Sequence, residues 1–160
     1  MSVEESTRAP TIAVGDRFDA EMTLSRQSIA DFAHACGDAN PIHVDDKAAH
    51  GWGFDDIIAS GPHTSALFGA LLATYFVRFG QALGLELHVR FLRPVTSDAP
   101  FRIVWEIIGI ARNEKLRGYL VSLSGRCEQN RAAALSGSAK VVVRPRAGVT
   151  IVDSSDAPAV

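Results

Sequence analysis

The chain has 160 residues and 47 % hydrophobic content, enough to bury the core of one domain and too short for a second full one. Its 16 basic and 18 acidic residues give a net charge of −2 with no block of five or more like charges, which excludes the electrostatic footprint of a nucleic-acid binder or an anionic-membrane binder. Cys36 and Cys127 lie in unrelated contexts, so neither a disulfide framework nor a cysteine zinc site is indicated, and a reducing cytoplasm is the expected compartment.

The N-terminal MSVEESTRAP is acidic and polar and lacks the apolar run of a secretory signal, so residues 1–12 are expected to form a flexible arm. Residues 13–145 then make a single domain, and RAGVTIVDSSDAPAV, residues 146–160, a flexible tail. DRFDAEM, residues 16–22, reads as a first strand. In TLSRQSIADFAHACGD, Ile29, Phe32, Ala33 and Cys36 recur at i, i+3, i+4 and i+7. Ser25 is placed to cap that helix and Gly37 to stop it in a left-handed conformation, which delivers Asp38 just past its end. Pro41 has no N–H and pushes Asn40 towards extended backbone, so the path breaks there, and a short helix is expected over residues 46–50.

GWGFDDIIASG reads as a loop, and Ser60-Gly61-Pro62 as a helix start, with Ser60 as N-cap and Pro62 in the first turn, where a missing N–H costs little. The helix predicted over residues 62–79 is apolar on nearly every side, through Leu67, Phe68, Leu71, Leu72, Tyr75 and Phe76, and should be wrapped by the rest of the domain. Its apolar stretch is shorter than the ~20 residues of a membrane span and is followed by Arg78. Beyond Gly84 the period changes to two. LELHVRFL sets Leu85, Leu87, Val89 and Phe91 against Glu86, His88 and Arg90, and FRIVWEIIGI, GYLVSLSGRCEQ and AAALSGSAKVVVRP supply three more strands. Helices followed by an antiparallel meander indicate an α+β domain.

His34, His43, His50, His63 and His88 form no HExxH, HxxxH or Cys/His quartet, so no metal site is expected. Ser60 and Ser65 lack a GxSxG setting, and no phosphate-binding glycine loop is present, which removes covalent serine catalysis and the usual nucleotide folds. What remains is GDANPIHVDD, residues 37–46. A general acid and base must stand a few ångströms from one water, and Asp38 and His43 supply the residue types across a turn that Asn40 and Pro41 stiffen. From spacing alone, an Asx turn at Asp38 beside an ordinary loop histidine is the simpler reading, and Asp45 and Asp46 read as caps of the next helix. Gly61 opens two readings of equal standing: a small residue whose helix-start amide holds a thioester carbonyl, or a glycine needed only for the turn. His63, in the first turn, either borders that site or is solvated.

GDANPIHVD closely resembles the active-loop signature of the MaoC-like, R-specific enoyl-CoA hydratase (hydratase 2) family. GFDDIIASGPHTSALFGALL resembles the family's entry into its central helix and VRFLRPV its following strand, so the likeness spans roughly residues 12–145. The resemblance implies a hot-dog fold, an antiparallel β-sheet wrapped around a long central α-helix, normally as a homodimer or dimer of dimers. It implies reversible syn addition of water to a trans-2-enoyl thioester, giving the (R)-3-hydroxyacyl thioester. Asp38 and His43 would hold one water, Asn40 would brace the loop, and the Gly61 amide would polarise the carbonyl. The partner would be an acyl-CoA or acyl-carrier-protein thioester, with no cofactor, no nucleic acid and no membrane. Many members carry histidine before the helix-start glycine and methionine after it, where this chain has Ser60 and Pro62. These two and His63 are therefore taken as candidates for the acyl pocket or its support. Arg90, Arg93, Lys115 and Arg117 are candidates for CoA phosphates, with a solvated strand edge as the simpler reading. Two other functions stand beside the hydratase: a hot-dog acyl-CoA thioesterase, and a non-catalytic acyl-binding subunit of a heteromeric dehydratase. The last would be expected to have lost the acid and base pair, and this chain retains both residues.

Overall fold

The computed structural model describes residues 9–153. The alternating segments fold as their period dictates. In β4 (Pro100–Asn113), Phe101, Ile103, Trp105 and Ile107 point inward and are buried, while Arg102 and Glu106 point outward and pair with Asp19 and Arg17. A bulge between Ile107 and Gly109 reverses the parity, leaving Ile108 exposed and Ile110 buried. β5 (Gly118–Gln129) and β6 (Ala132–Pro145) continue the buried face with Val121, Leu123, Ala139, Val141 and Val143. β2 (Arg17–Thr23) pairs with β4, and β3 (Gly80–Phe91) pairs with β6, so the antiparallel sheet runs β2-β4-β5-β6-β3.

β4, β5 and β6 make the expected meander, but β3 does not lead into it as a neighbour. It lies beyond β6, at the far edge. The reason is the turn that feeds it: a Cβ on Gly80 would stand 2.2 Å from the Arg144 carbonyl oxygen, so the chain enters β3 pressed against the end of β6.

α3 (Gly61–Phe76) starts where Ser60 caps it and ends three residues before the predicted 79. Phe68, Leu72 and Phe76 pack on the sheet. The buried Trp105 pins the helix there: its Nε1–H donates to the Phe68 carbonyl at 3.0 Å and its ring stands 4.2 Å from the Phe68 ring. Gly125 lies under the indole, where a Cβ would come within 2.4 Å of it. The sheet covers only one side of α3, however. Pro62, Ala66, Ala70, Ala73 and Thr74 form an exposed face, so the all-round wrapping expected from the sequence is not met within one chain. β3 is likewise open, with Leu85 44 % and Phe91 58 % exposed although their alternation predicts a half-buried strand.

Order also extends past both expected limits of the domain. Thr11–Ala13 (β1) pairs in parallel with Thr150–Val152 (β7), because Ile12 is drawn fully into the core; the rest of the expected arm and tail, residues 1–8 and 154–160, lies outside the described residues. Among the described residues no helix is long and apolar enough to cross a membrane. Cys36 is exposed and Cys127 buried, both unpaired; burial and then the Glu128 carboxylate push the Cys127 thiol up to about 11.

Candidate active site

The loop after α1 (Arg26–Cys36) is built from local caps. Ser25 Oγ accepts from the Ser28 N–H to start the helix, and Gly37, at φ 76°, stops it, as its left-handed position requires. The Asp38 N–H then returns to the Ala33 carbonyl at 2.8 Å, and Asp38 Oδ1 accepts from the Asn40 N–H at 3.0 Å. Asn40 Oδ1 accepts in turn from the Ile42 N–H at 3.3 Å, capping a 3-10 turn over Pro41–His43. Asp45 Oδ1 takes the Lys47 and Ala48 N–H groups and starts α2 (Asp46–Gly51). Asp45 is thus the cap, whereas Asp46 spends its carboxylate on Arg26.

This chain of caps carries His43 inward, to 6 % exposure. Its Nδ1 lies 2.7 Å from the Ile58 carbonyl oxygen. A carbonyl oxygen only accepts, so Nδ1 carries a proton, and in the neutral form of the ring Nε2 is the bare nitrogen. That nitrogen stands 3.4 Å from Asp38 Oδ2. The Asx turn and the acid–base pair therefore coexist, one carboxylate oxygen serving each. At 3.4 Å the imidazole nitrogen and the carboxylate oxygen are close enough for one water to touch both.

The first turn of α3 supplies the second half. Pro62 has no N–H, Ser60 Oγ accepts from the His63 N–H at 3.3 Å, and the Ser60 carbonyl accepts from the Thr64 N–H at 3.2 Å. The Gly61 N–H is left with no hydrogen-bond partner among the described residues, at the positive end of the α3 dipole. Gly61 and His43 line one cavity of about 440 Å³, whose apolar walls include Phe54, Phe91 and Leu135. Asp38 stands beside His43 rather than on the wall. A second cavity, of about 290 Å³, lies farther along the α3–β3 seam at Gly69, Leu72 and Leu87, away from His43.

The structure thus brings Asp38, His43, Asn40 and Gly61 together. It does not bring the other three candidates to the cavity. Ser60 is buried as a cap, and Pro62 is exposed on the outer face of α3. His63 is neither solvated nor on the wall: its ring stacks on Phe32, with centroids 4.2 Å apart and planes 1° apart, because α1 crosses the start of α3. Its Nδ1 has no hydrogen-bond partner among the described residues, and burial holds the imidazole pKa below its ordinary value. Of the four basic candidates only Arg93 reaches the cavity, with its Nη1–H on the Ala133 carbonyl at 3.2 Å. Sequence reasoning missed the Ile58 carbonyl, which has no side-chain signature, and Phe91, whose period-two run read as ordinary core. Among the described residues no cluster of three His, Cys, Asp or Glu side chains could hold a metal ion.

The family model described as MaoC like domain matches residues 9–121, more than half of the chain. A mitochondrial 3-hydroxyacyl-[acyl-carrier-protein] dehydratase of Arabidopsis thaliana is 26 % identical over 138 residues, covering 82 % of this chain and 78 % of that protein. Among solved structures, a MaoC-like dehydratase from Rhodospirillum rubrum superposes with a TM-score of 0.73 at 28 % identity, over 84 % of this chain and 94 % of that one. An (R)-hydratase from A. caviae involved in PHA biosynthesis also gives 0.73, at 23 % identity over 82 % of this chain and 96 % of that one, a likeness of fold.

Proposed function

We propose that this chain, which belongs to the MaoC-like domain family, is an (R)-specific enoyl-thioester hydratase working reversibly as a 3-hydroxyacyl-thioester dehydratase. The observation that carries the reading is one cavity bordered by His43, with Asp38 beside it, and by the amide of Gly61, which has no hydrogen-bond partner among the described residues. The Gly61 N–H holds the thioester carbonyl oxygen, where negative charge develops as water adds. Asp38 Oδ2 and His43 Nε2 each accept a hydrogen from one water. His43 takes a proton as the water oxygen bonds to C3 and the C2=C3 π electrons move to the thioester as an enolate. The imidazolium, stabilised by the Asp38 carboxylate, returns that proton to C2 on the same face, which makes the addition syn. No electrons leave the substrate, so the reaction needs no redox cofactor. Dehydration is the same path reversed.

Loss of enoyl-thioester absorbance with crotonyl-CoA tests this directly. Asp38→Asn and His43→Ala should each lower kcat by about 10²–10⁴-fold, the usual contribution of a positioned acid–base group. Less than tenfold loss in both overturns the mechanism, and release of free CoA thiol in place of hydration identifies a thioesterase.

The open edge of β3, with Leu83, Leu85, Leu87 and Phe91 exposed, supports a homodimer in which two such edges meet. The two unpaired cysteines support a reducing, cytoplasmic setting. The apolar cavity suits the acyl part of either a CoA or an acyl-carrier-protein thioester.

A further inference from the structure

Arg26 opens α1 at the opposite end of the helix from Asp38, and the mechanism above does not use it. Local physics disfavours it there: a cation meets the positive end of the helix dipole, and no acidic residue in the first turn offsets it. Such a local conflict is sustained by contacts elsewhere. Here they come from two other segments. Arg26 Nη1 donates to Asp56 Oδ1 and Nη2 to Asp46 Oδ1, one carboxylate for each prong of the guanidinium. Asp46 follows His43 by three positions, and Asp56 precedes Ile58 by two. Asp56 Oδ1 also accepts from the Ile57 N–H at 2.7 Å, which ties its carboxylate to its own backbone.

The two segments joined in this way meet at the active histidine. Between them run the 2.7 Å contact of His43 Nδ1 with the Ile58 carbonyl and a long 3.4 Å bond from the Ile58 N–H to the Ile42 carbonyl. We propose that Arg26 is a positioning residue: by bridging Asp46 and Asp56 it holds the Ile58 carbonyl against His43 Nδ1, and so keeps the bare Nε2 turned to Asp38. A lysine at this position would supply one compact charge rather than a fork and would hold one segment at a time. Arg26 is 41 % exposed in its side chain, and exposed ion pairs add little to stability, so loss of the bridge should disturb geometry more than folding.

Full-length Arg26→Met and Arg26→Lys test this with three measurements. The ¹⁵N resonances of the His43 imidazole, recorded without substrate, should report a proton on Nδ1 in the wild type and a mixture of tautomers in Arg26→Met. With crotonyl-CoA, kcat should fall about tenfold with KM within about twofold, since a misplacement near 1 Å costs up to about 100-fold. The melting temperature should fall by less than about 4 °C, and Arg26→Lys should recover part of the kcat. Asp56→Asn should reproduce the resonance change if Arg26→Met fails to fold. Unchanged His43 resonances overturn the proposal, whatever happens to the melting temperature. The rate measurements rest on the hydratase reading. A wild type that leaves crotonyl-CoA untouched defeats that reading, and the resonances then decide the role of Arg26 alone.

Discussion

Gly61→Ala separates stability from catalysis at the start of α3. Gly61 is not among the residues with positive φ, so alanine fits its backbone, and the restricted unfolded chain should add about 0.4–1 kcal/mol. The new Cβ would stand 3.1 Å from Phe91 Cζ and 3.4 Å from Cε1, a few tenths of an ångström inside ordinary contact. In a packed core such crowding costs about 1–3 kcal/mol, but Phe91 is 58 % exposed and its ring can yield. The two effects leave stability within about 1 kcal/mol of wild type, a shift of no more than about 4 °C in Tm. The amide proposed to hold the carbonyl is still present. The methyl and the displaced ring, however, enter the cavity shared with His43 and hold the thioester off that amide. With about 100-fold at stake per ångström of misplacement, kcat/KM should fall roughly 10- to 100-fold. That corresponds to about 1.4–2.8 kcal/mol of lost transition-state stabilisation. Steady-state hydration of crotonyl-CoA and a circular-dichroism melt read the two quantities separately, and Gly61→Ala with Phe91→Leu should recover much of the rate. A kcat/KM within threefold of wild type refutes the close-approach role of Gly61, and so does a loss of rate matched by a large fall in Tm.

His63 makes stability depend on acid. Burial holds its folded pKa below the ordinary value of about 6.5, at which the unfolded chain binds its proton. Its stabilisation is therefore complete above the unfolded pKa and is lost as pH falls through the folded one, at up to about 1.4 kcal/mol per pH unit. Urea unfolding between pH 7.5 and 5 should show the decline, and His63→Phe, which keeps the stack on Phe32, should flatten it; an unchanged slope removes His63 as the cause. At the open sheet edge, Leu83→Lys with Leu85→Lys should convert a wild-type dimer to monomer in light scattering, and a wild type that is monomeric at micromolar concentration defeats the edge-pairing reading.

The legible parts were those whose physics is local. Ser25 and Gly37 bound α1, Ser60 starts α3, and Asp45 starts α2, because each cap reaches an N–H or carbonyl within a few residues. Period-two alternation placed β4, β5 and β6 as strands, but not the parity change at the β4 bulge or the exposure of Leu85, Leu87 and Phe91 on β3. Local chemistry also argued against itself at Asp38. Spacing favoured an Asx turn, and the turn is there, yet only Oδ1 is needed for it.

Sequence by itself determined which chemistry was available: a carboxylate and an imidazole five residues apart around Asn-Pro, and a helix opening on glycine between a serine cap and a proline. Tertiary structure alone decided where those groups stand. The Ile58 carbonyl, 15 residues beyond His43, sets the imidazole tautomer, and a backbone acceptor leaves no trace in residue identity. Ser60 and Pro62 turned away from the cavity because one caps the helix inward and the other sits on its outer face. His63 went under Phe32 because α1 crosses there. Arg26 found its carboxylates 20 and 30 residues away. In each case the deciding contact joins segments distant along the chain, and only the packing of one element on another brings them within reach.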